Sequence, residues 1–263
     1  MFTGNMVTEA IPARVFALYK IATNKKDITR GELQGLMEPE GIYEGNSYFS
    51  TIIKAATELK LVDILDNHVV PIVPKEQLKT IEDFRKYTIS KLNSFEDSHF
   101  YKFTNTIVNM DERVYMSNSI SDSEILTYIS GQIGQQITAP MARGWRFWAQ
   151  FLGFGYMHNM TFLPNAYVFV KNILVLMNLE KEEEYLIDDF MIRFNQYGRI
   201  LTRNLDSEKN MNIALSNALR ELHENGDIIL KYGSDQGSKW ILYPSNELYN
   251  DPVTSIVYKG GKR

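Results

Sequence analysis

One order of elements appears near both ends of the chain, and that repetition constrains the fold more than any single motif. At the N-terminal end, Pro12 to Ala22 has helical spacing through Val15, Leu18, Tyr19 and Ala22, with proline near the first turn. Thr29 followed by Glu32 is a capping-box pattern, which predicts a second helix from Arg30 to about Met37. Glu38-Pro39-Glu40-Gly41 breaks it. Asn46 or Ser47 can cap a third helix to about Lys60, with Phe49, Ile52, Ala56 and Leu59 inward and Ser47, Ser50, Thr51 and Lys54 outward. Leu61–Leu65 and Val69–Ile72, joined by Asp66-Asn67-His68, read as a β-hairpin containing Pro71.

The C-terminal third repeats this order. Tyr185 to Asn195 reads as a helix, and Asp206 precedes a short polar turn. Asn210 to Glu224 reads as a second helix, with Met211, Leu215, Ala218 and Leu222 inward and Lys209, Asn212, Ser216, Asn217 and Arg220 outward. Asn225-Gly226 ends it. Strands at Asp227–Tyr232 and Lys239–Tyr243 follow, stopped by Pro244. A weaker third copy lies between them. Ser123–Ser130 and Ala139–Leu152 read as helices, the latter with Met141, Trp145, Trp148 and Leu152 inward and Arg143, Arg146, Phe147 and Gln150 outward. A short hairpin flanks Asn159 and closes at Pro164. Helix, helix-turn-helix and two-stranded wing describe a winged helix. The expected fold is therefore α+β, predominantly α-helical, with two or three tandem winged-helix units and helical linkers. The expected domains are residues 1–75, a helical middle region 76–179 holding a degenerate winged helix at 120–164, and residues 180–263. Lys75 to Asn118 is expected as helical linker and Asn165 to Leu179 as a connecting helix.

Composition narrows the function classes. The 263 residues carry 28 Lys+Arg and 32 Asp+Glu and contain no cysteine, which excludes disulfides, thiol catalysis and Cys-ligated metals. The opening residues show no secretory-signal pattern and no apolar run reaches membrane-spanning length, so a cytoplasmic protein without membrane attachment is expected. Residues 180–263 carry the strongest acidic excess, 14 acidic against 11 basic groups. From Ile125 to Leu179 there is no Asp or Glu, while Arg143, Arg146 and Lys171 stand among ten aromatic residues. That window reads as buried core, or as a docking surface of locally positive potential.

Catalytic and metal patterns are incomplete. His68, His99, His158 and His223 are not at metal-ligand spacing. Gly153-x-Gly155 lacks the third glycine and the following helix of a dinucleotide fingerprint, and Gly233 to Lys239 lacks the Gly-Lys-Ser/Thr ending of a phosphate loop. Glu58-x-Lys60 has no upstream strand aspartate to complete a nuclease signature. No catalytic residue, metal site or cofactor is expected, and the chain reads as a non-enzyme.

The outer segments resemble the winged-helix superfamily of bacterial transcription regulators. With its Trp145-Arg-Phe-Trp-Ala-Gln-Phe-Leu-Gly-Phe-Gly155 block between two such units, the chain looks like an accessory component of bacterial defence islands of the deazapurine-in-DNA type. It is also similar to tandem winged-helix subunits of SMC-type complexes, which grip a kleisin chain. The first resemblance implies a DNA-binding component of a multi-protein antiphage defence or DNA-modification system. The second implies an adaptor for a partner chain, and a transcription regulator is a third reading. If double-stranded DNA is the ligand, the candidate contacts are Lys54, Arg143, Arg146, Asn212, Arg220 and Lys239, with Lys231 and the tail Lys259–Arg263 as further phosphate contacts. A sequence pI of about 5.7 weighs against DNA, whose binders usually present a basic stripe.

Overall fold

The computed structural model describes residues 1–25, 27–41, 45–116, 119–203, 205, 208–234, 237–245, 249 and 252–260. Asp206 and the tail residues 261–263 named above lie outside them. The chain is α+β, with helices dominating and three small antiparallel sheets. Among the described residues no helix is long and apolar enough to cross a membrane.

Helix α1 (Pro12–Asn24) begins with proline, where the missing N–H costs nothing. Helix α2 (Arg30–Met37) has the expected capping box: Glu32 N–H donates to the Thr29 hydroxyl at 3.2 Å, and Thr29 N–H donates to the Glu32 carboxylate at 2.9 Å. Helix α3 (Phe49–Glu58) starts later than expected, and its N-cap position is Tyr48, not Asn46 or Ser47. Glu38 at the end of α2 takes the capping role instead. Its carboxylate accepts from the amides of Tyr48 and Phe49 at 2.7 and 2.9 Å and from the Ser47 hydroxyl at 2.7 Å. Strands β1 (Val62–Leu65) and β2 (His68–Pro71) form the predicted hairpin, turning through Asp66 and Asn67 at φ 47° and 66°.

The expected linker is packed structure. It holds α4 (Ile81–Lys91), a 3-10 turn at Leu92–Phe95, α5 (His99–Val108) and a second 3-10 turn at Asp111–Met116. Phe84, Phe100, Tyr101 and Phe103 on these helices are fully buried. Then come α6 (Ser123–Ile133), α7 (Ala139–Leu152) and the hairpin β3 (Gly155–His158) with β4 (Thr161–Pro164). Both indoles of α7 are fully buried: Trp145 Nε1 donates to Thr104 Oγ1 at 2.8 Å and Trp148 Nε1 to the Ala10 carbonyl at 2.7 Å. The aromatic, acid-free window is thus mainly core. Gly153 ends α7 at φ 85°, and a Cβ there would lie 2.6 Å from Val168 Cβ, so both conformation and space demand glycine.

The last part holds α8 (Tyr167–Leu176), β5 (Glu184–Leu186), α9 (Ile187–Thr202), α10 (Ile213–Glu224), β6 (Ile228–Lys231) and β7 (Ser255–Tyr258). Three expectations are corrected here. Tyr185 is in a strand, because Glu184-Tyr185-Leu186 alternates exposed, buried, exposed and pairs with β7. The helix expected from Asn210 begins at Ile213, with Asn212 as its cap. Lys239–Tyr243 is not the second wing strand. Its backbone is committed elsewhere: Trp240 bridges Val253, Ile241 bridges Asn210, and Tyr243 N–H donates to Ser216 Oγ at 2.8 Å. The segment Ser255–Tyr258, buried at its first three positions, pairs with β6 instead, giving sheet order β5-β7-β6. Helix α8 packs along α10, with Ala166 N–H donating to the Ala214 carbonyl at 3.1 Å. A single cluster of buried apolar residues runs from Met1 to Ile256 and takes in residues of every helix.

Candidate nucleic-acid interface

Helix α3 presents Ser50 and Lys54 to solvent, while Phe49, Ile52, Ile53, Ala55 and Ala56 face inward. Its one carboxylate, Glu58, is not presented. It accepts from the Met1 amine at 2.9 Å, Phe2 N–H at 2.8 Å and Thr3 Oγ1 at 2.5 Å. Burial pushes the Glu58 carboxyl up, but these donors outweigh it and hold it below the ordinary carboxylate range. The donors belong to an N-terminal arm, residues 1–10, that has no regular secondary structure yet buries Phe2, Met6 and Ala10. The sequence reading missed this arm. Its signal was an apolar residue every four positions, Phe2, Met6 and Ala10, in too short a run to stand out.

The arm continues to α7. A Cβ on Gly144 would lie 2.8 Å from the Val7 backbone, and Trp148 bonds to Ala10, so the arm lies directly on this helix. The preceding position, Arg143, is exposed, as is Gln150; Arg146 is half-buried, its guanidinium 5.0 Å from the centre of the Phe147 ring. The adjoining β3–β4 hairpin exposes Tyr156, His158 and Met160.

Helix α10 is different, and the expected outward placement of Asn212 and Arg220 is corrected. Asn212, Ser216 and Arg220 are 3%, 0% and 1% exposed. Asn212 caps its own helix through Leu215 N–H at 2.9 Å and donates to Asn109 Oδ1 at 3.0 Å and the Leu201 carbonyl at 2.7 Å. Arg220 donates to the carbonyls of Tyr249 at 2.7 Å and Tyr243 at 2.5 Å. The first amide of α10, on Ile213, donates to Asp111 Oδ1 at 2.8 Å. The 3.6-residue period is right, but the face that looked polar and outward is covered by Asn109, Asp111, Tyr243 and Tyr249.

Lys239 is exposed. Lys231 is paired with Glu184 at 2.6 Å and Lys259 with Glu182, so these two cations are already neutralised. Lys209 bonds both oxygens of Asp188 at 2.8 and 2.9 Å, and Trp240 Nε1 donates to Oδ1 at 2.8 Å. Burial pushes the Asp188 carboxyl up, yet Lys209, Trp240 and Ser238 together bring it to about 2. A cleft of about 400 Å³ between α4 and α8 is lined by Arg85, Lys86 and Lys171, the last bound to Asp227 at 2.9 Å. Among the described residues no three His, Asp or Glu side chains converge to hold a metal.

The molecule is thus an α+β chain with two cation-bearing helices facing outward and a third of the same local pattern held inside. A model of the DpdG-like family matches residues 5–236, and the chain belongs to that family. Membership fits a component of a DNA-modification and defence island of the deazapurine-in-DNA type. No curated protein and no solved structure matches.

Proposed function

We propose that the chain is a non-enzymatic, cytoplasmic DNA-binding component of a multi-protein DNA-modification or defence system, built from three tandem winged helices. One repeated hydrogen bond carries this reading. Arg30 N–H donates to the Asn67 carbonyl at 2.8 Å, Ile120 N–H to Met160 at 3.0 Å and Ile187 N–H to Thr254 at 2.9 Å. Each acceptor immediately precedes the last strand of its unit, and each donor lies at or just ahead of the helix that follows the first one. The same join three times is hard to obtain except from three copies of one unit. The sheet order β5-β7-β6, with α8, β5, α9, α10, β6 and β7 in chain order, completes the third copy and draws α8 into it. DNA is the ligand best matched to an outward third helix bearing Lys54 in the first copy and Arg143 and Arg146 in the second.

Fluorescence anisotropy with a labelled duplex tests it: binding that weakens steeply with salt is expected, and no binding at low salt would refute it. The purified protein should neither nick DNA nor hydrolyse nucleotides. An adaptor that grips a partner chain is the second reading, favoured by the apolar residues Ile64, Leu65, Val70 and Ile72 exposed on the first hairpin.

A further inference from the structure

We propose that duplex DNA lies on one face formed by α3 and α7 together, spaced by the N-terminal arm, and that α10 takes no part in it. The proposal rests on the DNA-binding reading above and goes beyond it by selecting two of three equivalent helices.

Charge makes the first selection. The arm removes the sole carboxylate of α3 by tying up Glu58, leaving Lys54 as that helix's exposed charge. Helix α7 lies within the acid-free stretch Ile125–Leu179, so Arg143 and Arg146 have no carboxylate on their own helix or on the adjoining β3–β4 hairpin. A net pI near 5.7 is then no obstacle, because the acidic excess sits in residues 180–263.

Access makes the second. In a helix-turn-helix the N-terminal residues of the third helix reach base edges. In α10 those positions are closed: Asp111 holds its first amide, and Asn212, Ser216 and Arg220 bond inward to Asn109, Tyr243 and Tyr249. The nearby cations Lys231 and Lys259 are paired with Glu184 and Glu182. The first hairpin is also unsuited to phosphate, since Asp63 and Asp66 are exposed on it; the second exposes Tyr156 and His158 and has no acid.

The arm sets the spacing. A Cβ on Gly4 would lie 3.3 Å from Lys54 Nζ, and Val7 touches Gly144 beside Arg143. Three residues of chain span at most about 10 Å. The two helices therefore meet DNA within one turn, about 34 Å, and a duplex of about 12 base pairs covers both.

The experiment is a salt titration of 12- and 24-base-pair labelled duplexes against the full chain and three variants. R143A/R146A should lower the salt slope by about 1.8 and K54A by about 0.9, one phosphate contact per cation. K231A/K239A should leave the slope unchanged, and the short duplex should retain the full slope of the long one. If R143A/R146A melts early, the charge reversal R143E at the exposed position replaces it and should reduce affinity more than tenfold. Wild-type slopes for the α3 and α7 variants, a slope lost in K231A/K239A, or a slope that needs the longer duplex would overturn the shared face while leaving DNA binding intact. No binding of either duplex by the wild type would instead overturn the DNA reading itself.

Discussion

Glu58 would repel phosphate if its carboxylate faced out from α3, and its three donors also make it a stability element. Replacing it by Ala leaves the Phe2 amide and the Met1 amine buried without their acceptor, at about 1–3 kcal/mol for the amide alone. Urea denaturation of Glu58→Ala should show that loss. The folded Glu58 carboxyl is depressed below its unfolded value, so its contribution is present above about pH 4.5 and disappears as pH falls through the folded pKa. The Glu58→Ala penalty should therefore shrink on acidification; a penalty that is constant from pH 6 to pH 3 would contradict the assignment. On α7 the buried indole of Trp145 donates to Thr104, and Trp145→Ala should cost about 3–5 kcal/mol. Gly144→Val places a branched side chain where even a Cβ meets Val7 at 2.8 Å, so its melting temperature should fall and the arm should become protease-sensitive. These positions act through packing, unlike exposed Arg143, whose removal should leave the melting temperature nearly unchanged.

At the scale of elements, α3, α7 and α10 have the same local design and different neighbours. Helix α10 is capped twice, by Asn212 from within and by Asp111 from the turn before α6. Asn212→Ala should destabilise by more than the roughly 1 kcal/mol usual for a cap, because Asn109 and the Leu201 carbonyl lose their donor as well. Chemical denaturation of Asn212→Ala beside Asp111→Ala checks the order, with Asn212 the costlier. The segment after β6 is held differently, through Asp188 and its bonds to Lys209 and Trp240. With a folded pKa of about 2 against 3.8 unfolded, this contribution is complete above pH 4 and lost between about pH 4 and 2. The Asp188 side chain is 42% exposed, so solvent screening limits the contribution to about 1 kcal/mol or less. Trp240 emission should shift within that pH interval, and Asp188→Asn should abolish the shift.

At the scale of the molecule, the N-terminal, middle and C-terminal parts of the chain share one core. The arm joins the first to the second, α4 packs on α8, and Asn93 and Asn105 donate to carbonyls of α9. Far-UV circular dichroism and tryptophan fluorescence should therefore report one coincident unfolding transition. Two separated transitions would mean that these parts of the chain are independent bodies.

Local chemistry wrote much of this into the chain. The Thr29–Glu32 capping box, the Asp66-Asn67 turn, the helix periods of α1, α2, α7 and α10, and the first two hairpins depend on neighbours within a few residues, and all are legible without coordinates. The inward stripes followed too, because burial of apolar residues obeys the same period. What depended on distant segments was not legible. No spacing rule reveals that Glu38 caps α3, that Ser255–Tyr258 displaces Lys239–Tyr243 as the partner of β6, or that the arm crosses from α3 to α7. The polar stripe Asn212, Ser216, Arg220 reads as solvent-facing because polar residues normally are; only the tertiary structure supplies the backbone carbonyls and side chains that let it be buried with its hydrogen bonds satisfied.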